Sequence, residues 1–317
     1  PERIAALKIK RHNAKAVGVR RIHDRTDAYV AEVTLSDGAK KREVIVRQPC
    51  ADDLHEEAIP PVERARHEFE VISTLSQTFA AGEGEQTSSG TRYAVPKLVM
   101  FDEPNAAIVT ERADGRSLAG IVAGAVKPSR VTSGMRKAGT WLRLMQQHTR
   151  GADDGRHILT AVVLLALRDL DLAAAADREI AAMHGKIKDR LQELESRRAE
   201  QKFPVVGHHG DYRLDNIFIG EKRVDVTSFG AFREGLPLED VAQFLIDLEL
   251  RSAIRRGRRA TLRDAFLEGY GAKMTDADRE ALLLFSITKA LHMLSHRGHE
   301  SRRTHAALRK IIRRSLS

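Results

Sequence analysis

The chain has 317 residues, of which 42% are hydrophobic and 31% are charged, so a disordered protein is excluded and one large domain or two smaller ones are expected. No apolar run reaches the ~20 residues of a membrane span, the charged N-terminus is unlike a secretion signal, and the single Cys50 cannot form an internal disulfide, which together predict a cytoplasmic protein. The net charge is +9, and residues 251–317 alone contribute +10, with 16 Lys and Arg against 6 Asp and Glu.

The N-terminal part of the chain has the pattern of β-strands. Segments rich in β-branched residues predict three strands within residues 16–50, and Ser36-Asp-Gly38 predicts the hairpin turn between the second and the third. Apolar residues recur at helical spacing over Val62–Thr78, which predicts one helix. Two more short strands are expected around Lys97–Phe101 and Ala107–Glu111.

After Ser117 the pattern changes to helix. Long periodicities of Ala, Leu and Arg predict helices, which are expected over Ser133–Thr149, Leu159–Ala176 and Ile180–Gln201, and from Leu238 to the end. Residues 204–228 interrupt them with three short apolar segments that are typical of strands.

A unit of five strands and one helix, followed by a helical body that holds a small hairpin, predicts an α+β fold with two lobes. We place the first lobe at residues 1–112 and the second at residues 113–317.

The strand-rich island contains the loop His209-Gly-Asp-Tyr-Arg-Leu-Asp-Asn216. Its residue types suit phosphoryl transfer, because Asp211 can accept the proton of an attacking hydroxyl and the amide oxygen of Asn216 can bind a phosphate-bound Mg²⁺. The tight loop returns both side chains to one pocket, and we expect His209 to brace the loop rather than to react. A metallohydrolase is the weaker interpretation, since the H-x-H-x-D-H spacing is absent around His208.

This loop resembles the catalytic loop of the aminoglycoside phosphotransferase and choline kinase-like family, a branch of the protein-kinase-like fold. The resemblance covers about Val17 to Leu250, and the other segments that carry it are Arg64–Ile72, Val95–Asp102, Ala107–Leu118, Ala138–His148 and Leu238–Leu245. It implies a bilobal fold, with an antiparallel sheet in the N-lobe, a mainly helical C-lobe, and a helix bearing Asp240 that supports the catalytic loop.

The resemblance implies a phosphotransferase that uses ATP or another nucleoside triphosphate with Mg²⁺, and whose acceptor is a hydroxyl of a small molecule or a saccharide. The positions that match the family's functional residues are the proton acceptor Asp211, the nucleotide-binding residues Arg47, Glu68, Glu111 and Ala113, and the metal ligands Asn216 and Ser228. By this resemblance Arg47, braced by Glu68, grips the nucleotide phosphates, and the Glu111–Ala113 segment presents backbone groups to adenine.

Three positions depart from the family's pattern. Ser228 stands where the family has a metal-binding Asp, and a neutral hydroxyl binds Mg²⁺ far more weakly than a carboxylate does. Asp225 would replace it only if the strand bulges. Arg47 replaces the usual lysine, and the hairpin Ile22–Tyr29 has no glycine to cradle phosphates. These departures leave open an alternative function, a catalytically impaired kinase-fold protein that acts as a binding or regulatory module.

Two features of the C-terminal part leave further alternatives open. His292, His296 and His299 fall near one helical face, where zinc is conceivable, but exposed histidines among arginines are commoner. Thr304–Ser317 predicts a short basic amphipathic helix, which either makes peripheral contact with an anionic membrane or packs its apolar stripe on the helical lobe.

The basic excess of residues 251–317 also bears on the partners. Positive potential in the C-lobe favours an anionic acceptor, such as an acidic or lipid-linked saccharide. The arginine-rich segment 255–259 has no interleaved aromatic residues, which argues against a nucleic-acid partner.

Overall fold

The computed structural model describes residues 15–24, 28–36, 41–50, 59–81, 90–124, 126–152, 155–197, 203–251, 254, 256–271, 274–296 and 301–316. The chain forms two compact units, which are described separately. The first contains the residues up to Arg116 together with Phe218–Ala231, and the second contains Ser117–Ile217 and Phe232–Ser317. The segment 218–231 is part of the first unit, whereas the sequence pattern assigns it to the second lobe.

The first unit is built on a five-stranded antiparallel sheet in the order β1-β2-β3-β6-β5. Its strands are β1 (Lys15–Asp24), β2 (Ala28–Ser36), β3 (Lys41–Pro49), β5 (Leu98–Asp102) and β6 (Ala107–Glu111). Alternating small and β-branched residues of β2, β3 and β6 form the core of the sheet, among them Ala31, Val44, Val46 and Val109. The turn predicted at Asp37-Gly38 lies outside the described residues.

Helix α1 (Pro61–Ala81) packs against this sheet. It begins at Pro61, where proline is favoured because the first helical N–H needs no intrahelical partner. Ala65, Ile72 and Leu75 form its buried apolar stripe, and Glu68 lies in the same stripe with 2% of its surface exposed. The helical period therefore carries a charged side chain into the interior beside β3.

Short strands complete the first unit. In a second sheet β4 (Arg92–Ala94) pairs in parallel with β10 (Arg223–Val226), and β9 (Ile217–Ile219) lies next to β10. A two-residue strand, β7 (Arg116–Ser117), falls at the unit boundary. Strands β4 and β7 were not predicted, because two or three residues are too few to show an alternating pattern.

The second unit is mainly helical, as predicted. Its helices are α2 (Leu118–Ala123), α3 (Pro128–His148), α4 (Arg156–Ala176), α5 (Arg178–Ser196), α6 (Pro237–Leu250), α7 (Arg256–Tyr270), α8 (Asp276–His296) and α9 (Arg302–Ser315). A small antiparallel ladder joins β8 (Val206–His208) to β11 (Arg233–Gly235). Among the described residues, no helix is both long and apolar enough to cross a membrane.

Two glycines allow helices α3 and α7 to lie unusually close together. A Cβ atom at Gly139 would be 2.1 Å from the carbonyl oxygen of Phe266, and one at Gly269 would be 1.9 Å from that of Arg136. Any side chain at these positions would therefore overlap backbone of the facing helix. Beside this crossing, Tyr212 donates a hydrogen bond to the Ala138 carbonyl at 2.7 Å and stacks on Trp141.

Candidate active site

The loop between β8 and β9 is tethered to the first turn of α6 by one buried carboxylate. Asp240 accepts hydrogen bonds from the backbone N–H groups of His209, at 2.8 Å, and Gly210, at 3.1 Å. The Nε2 atom of His208 lies 3.1 Å from the same carboxylate. Burial would raise the pKa of Asp240, but the charge and hydrogen bond of His208 and the bonds to the loop hold it below its ordinary value. The carboxylate therefore stays ionised inside the unit and fixes the loop backbone.

His209 braces the loop instead of facing solvent. It is completely buried, and its Nδ1 atom accepts a hydrogen bond from the backbone N–H of Asp211 at 3.2 Å. Its ring packs edge-on against Tyr212 and Trp141. Gly210, between the two, has a φ of +78°, a conformation that costs a glycine little and a residue with Cβ more.

The carboxylate of Asp211 is held by three side chains. Its two oxygens contact the guanidinium of Arg213, at 2.6 Å to Nε and 2.8 Å to one terminal nitrogen. Gln243 of α6 donates a hydrogen bond to it at 3.2 Å, and the amide nitrogen of Asn216 donates one at 2.8 Å. Asp211 and Asn216, which the sequence pattern predicted to share one pocket, are thus in direct contact.

These contacts set the protonation state of Asp211. Burial would raise its pKa, but the charge and hydrogen bond of Arg213, followed by the charge of His209 and the hydrogen bond of Asn216, hold it below its ordinary value. The side chain is therefore an anion at neutral pH, and it is a weak base.

Three residues around Asp211 escaped the sequence analysis, namely Arg213, Gln243 and Asp247. Asp247 accepts a hydrogen bond from the backbone N–H of Leu214 at 2.9 Å and pairs with Arg251 at 3.0 Å. Burial raises the pKa of Asp247 above its ordinary value despite Arg251. One signal for Gln243 and Asp247 exists in the sequence, because with Asp240 they are polar residues at helical spacing within a largely apolar α6.

In the first unit, Arg47 of β3 and Glu68 of α1 form a buried ion pair. The Nε atom of Arg47 lies 3.2 Å from Oε2 of Glu68, and their side chains are 13% and 2% exposed. The other carboxylate oxygen of Glu68 accepts a hydrogen bond from the backbone N–H of Phe229 at 2.9 Å. Glu68 therefore joins β3 to the segment that follows β10.

Ser228 lies in that segment, and its backbone has a φ of +73°, in the left-handed region. Asp225 does not take its place. The Asp225 carboxylate is 1% exposed, is bound by Nε of Arg223 at 2.8 Å and accepts the backbone N–H of Asp114 at 3.2 Å. Residues 223–225 pair regularly with β4, so the strand has no bulge there.

The Glu111–Ala113 segment, predicted to meet adenine, lies at the end of β6 in the first unit. The backbone N–H of Glu111 donates a hydrogen bond to the Lys97 carbonyl at 2.8 Å, and its carboxylate lies 3.7 Å from the Lys97 ammonium. Ala113 is buried, with 7% of its surface exposed. Of the predicted site residues, Arg47, Glu68, Glu111, Ala113 and Ser228 belong to the first unit, and Asp211 and Asn216 belong to the second.

Comparison with known proteins shows the family and the fold of the chain. The sequence model described as "phosphotransferase enzyme family" matches residues 19–285. No curated protein sequence matches the chain. A structure described as a fructosamine-3-kinase from Thermobifida fusca superposes with a TM-score of 0.62 at 18% identity, over 99% of this chain and 98% of that one.

Two further solved structures have the same fold. An amicoumacin kinase in complex with AMP-PNP and Ca²⁺ superposes with a TM-score of 0.59 at 14% identity, over 94% of this chain and 87% of that one. An ADP-bound aminoglycoside phosphotransferase gives a TM-score of 0.57 at 14% identity, over 98% and 97% of the two chains. The chain therefore belongs to the phosphotransferase enzyme family and has the protein-kinase-like fold of the aminoglycoside phosphotransferases and choline kinases, which confirms the predicted resemblance and fold class.

Proposed function

We propose that this protein transfers the terminal phosphoryl group of ATP or another nucleoside triphosphate to a hydroxyl of a small molecule or saccharide. Asp211 would accept the hydrogen bond, and then the proton, of that hydroxyl. The proposal rests on the groups that surround the carboxylate of Asp211. An ionised carboxylate sits on a loop anchored by buried Asp240, and three side chains fix the direction in which its oxygens point.

A carboxylate of lowered pKa is suited to orienting a hydroxyl rather than to removing its proton early. The transition state of phosphoryl transfer is loose, so the attacking oxygen needs position more than negative charge. Asp211 would accept the hydrogen bond of the acceptor hydroxyl and take its proton late, as the bond to phosphorus forms. Arg213 and Gln243 would keep the carboxylate in place throughout.

The first unit supplies the groups that suit a nucleotide. The guanidinium of Arg47 is held by buried Glu68, which fixes a positive charge where the family resemblance expects phosphates. The Glu111–Ala113 backbone would face adenine by the same resemblance. Nucleotides in the solved structures of an amicoumacin kinase and an aminoglycoside phosphotransferase support this part of the proposal.

The donor set fits Mg²⁺ at one position and less well at another. Asn216 donates through Nδ2 to both the carbonyl and the carboxylate of Asp211, so its amide oxygen is directed away from these groups and suits a hard cation. Ser228 offers only a hydroxyl. When bound, Mg²⁺ would neutralise charge on the nucleotide phosphates.

One observation favours a second candidate, a binding module without turnover. The position that carries a metal-binding Asp in the family is Ser228, and Asp225 is engaged with Arg223 and Asp114. Weakened metal binding would leave nucleotide binding in place and slow or abolish transfer.

The proposal also concerns the charge of the acceptor. The basic excess that favours an anionic acceptor includes arginines of α9 that pair with acidic residues of the same unit. An acceptor panel should therefore contain neutral sugars, sugar phosphates and polycationic aminoglycosides.

The test compares wild type with Asp211→Asn, and with Asp215→Asn as a matched control in the same loop. Nucleotide binding is measured by calorimetry with and without Mg²⁺, and transfer by nucleotide consumption across the acceptor panel. We expect wild type to phosphorylate an acceptor, and Asp211→Asn to bind nucleotide but lose about 10²–10⁴ in rate. Asp215 is 40% exposed and pairs with Arg251, so its variant should keep most of the activity.

Two results would count against the proposal. Full activity of Asp211→Asn would remove Asp211 from the mechanism. Nucleotide binding by wild type with no transfer to any acceptor would favour the binding module instead.

A further inference from the structure

A cluster of metal-ligand side chains lies between helices α4 and α8, outside the groups described above. Asp169 of α4 lies 3.1 Å, through Oδ2, from Nδ1 of His292 and 3.4 Å, through Oδ1, from Nδ1 of His296. Each of the three residues offers one ligand atom, and these atoms lie within 4.8 Å of one another. His292 and His296 are one helical turn apart on α8, and their rings are 4.4 Å apart.

The sequence alone pointed away from this cluster, because exposed histidines among arginines are commoner than metal ligands. The fold corrects that expectation, since Asp169 lies 123 residues before His292 and packing of α4 against α8 brings them together. His299, the third histidine of the predicted face, lies outside the described residues.

The distances agree with a tetrahedral metal site. Ligand atoms bound to Zn²⁺ at about 2.0–2.1 Å lie about 3.3–3.4 Å apart, close to the spacings of Asp169 from the two imidazoles. The hydroxyl of Ser295 lies within hydrogen-bond distance of two of these groups, 3.1 Å from Oδ1 of Asp169 and 2.7 Å from Nδ1 of His296. A hydrogen bond of this kind orients a ligating carboxylate.

Burial of the cluster is graded. The Asp169 side chain is 10% exposed, that of His296 is 28% exposed and that of His292 is 46% exposed. The carboxylate is thus shielded from water, while the His292 side leaves an entry path and room for a water as the fourth ligand. Two imidazoles and one carboxylate are donors that suit Zn²⁺ and its first-row neighbours rather than Mg²⁺.

We propose that Asp169, His292 and His296 bind one divalent transition-metal ion of the Zn²⁺ class, which links α4 to α8 in the second unit. The site has three protein ligands. An ion that binds only the folded unit would stabilise it in proportion to its affinity and concentration.

The experiment uses the full chain, stripped of metal with a chelator and then titrated with Co²⁺ and with Zn²⁺. We expect one equivalent of Co²⁺ to give the visible absorption of a four-coordinate site, Zn²⁺ to displace it, and Zn²⁺ to raise the melting temperature. Asp169→Asn, His292→Ala and His296→Ala should each weaken metal binding at least about 100-fold. Loss of a residue that only hydrogen-bonds to a metal ligand costs up to about that much, and loss of a ligand itself should cost more.

His184→Ala is the matched control. His184 pairs with Asp171 at 2.8 Å, a histidine–carboxylate contact on α4 and α5 that lacks the second imidazole. Its loss should leave the Co²⁺ spectrum and affinity unchanged. His292 is half-exposed, so its variant should fold, which circular dichroism in the presence of chelator would verify.

The proposal is overturned if wild type shows no saturable binding, since the three residues would then form a hydrogen-bonded cluster only. It is also overturned if all three variants bind as wild type does, or if His184→Ala weakens binding as much as they do.

Discussion

Asp211 and Ser228 differ in charge, since the first is an anion and the second is neutral. Asp211 is an anion with a guanidinium, two amides and a bracing histidine around it. Ser228 is neutral at the position where the family resemblance places an anion. The first arrangement suits the proton-accepting role, and the second weakens the metal-binding role. In the proposed function Asp211 would accept the proton, while Ser228 is the position on which the alternative of a binding module rests.

Replacing Ser228 by Asp should strengthen binding of Mg·ATP by about tenfold or more, because it adds a carboxylate that Mg²⁺ prefers to a hydroxyl. The backbone should tolerate the change, since the φ of +73° at this position suits Asp better than most residues. Calorimetry with and without Mg²⁺ measures the effect. Ser228→Asn is the control, with similar shape and no charge. Equal affinity of both variants and wild type would show that no metal binds at this position.

Among the elements, helix α6 holds the loop of residues 209–216 through one polar face. Asp240 at its start holds the loop backbone before Asp211, Gln243 contacts Asp211 itself, and Asp247 holds the backbone after it. Most other residues of the helix are apolar, and Val241, Phe244 and Ile246 are among those buried, so the polar face cannot rotate away without exposing the core. The geometry of the loop therefore depends on the packing of α6.

Asp240→Asn and Asp247→Asn should differ sharply in stability. The folded pKa of Asp240 is below its ordinary value of 3.8, so its charge stabilises the fold above that pH. We expect a loss of about 3–5 kcal/mol for Asp240→Asn at pH 7, as for a broken buried ion pair. The pKa of Asp247 is raised, so its charge adds no stability there, and its variant should change little.

Denaturant unfolding from pH 7 downward tests this pair of variants. The difference between wild type and Asp240→Asn should persist to about pH 4 and close below it, as Asp240 is protonated through its lowered pKa. A difference that closes well above pH 4, or equal losses for both variants at pH 7, would contradict the assignment.

The crossing of α3 and α7 gives a second prediction at this scale. Gly139→Ala should destabilise the second unit by at least ~2 kcal/mol, because its Cβ would overlap the Phe266 carbonyl and force the helices apart. Gly185→Ala, in α5, is the matched control: nothing lies within 4 Å of its Cβ, so it should stabilise by about 0.5–1 kcal/mol. Thermal or denaturant unfolding compares the two, and loss of stability in both would indicate an effect unrelated to helix packing.

For the whole molecule, the surplus of positive charge is partly balanced by pairing within the fold. Arg309 of α9 contacts Asp177, the N-cap of α5, at 2.6 Å, and Glu179 at 2.9 Å. Arg314 lies 3.6 Å from Glu249 of α6. The apolar face of α9 is covered as well, since Leu308 and Ile312 are fully buried. Of the two alternatives for this helix, packing on the helical lobe is what the fold shows.

Ile312→Ala should accordingly lower the free energy of unfolding by about 2–5 kcal/mol, the cost of emptying a packed position. Ile311→Ala, at the partly exposed neighbour, should cost less. Denaturant unfolding and sedimentation with anionic vesicles are measured together. A helix that used this face on a membrane would behave differently, with unchanged stability and reduced vesicle binding in both variants.

Features that depend on near neighbours in the chain could be predicted from the sequence. Helical and strand periods, with their Pro and Gly boundaries, predicted the main helices and the five long strands. The eight residues from His209 to Asn216 predicted that the side chains of Asp211 and Asn216 share one pocket, because a tight loop returns both of them to it. The family resemblance added the partnership of Arg47 with Glu68, which periodicity alone does not predict.

Contacts between residues that are distant in the chain are visible only in the tertiary structure. The parallel pairing of β4 with β10, the tether from Asp240 to the loop, and the approach of Asp169 to His292 span from about thirty to more than a hundred residues. Such contacts leave no local pattern, because they depend on which buried faces pack together and in what register. Arg213 is close to Asp211 in the sequence, but its effect on the pKa of Asp211 depends on the burial of that carboxylate, which only the fold shows.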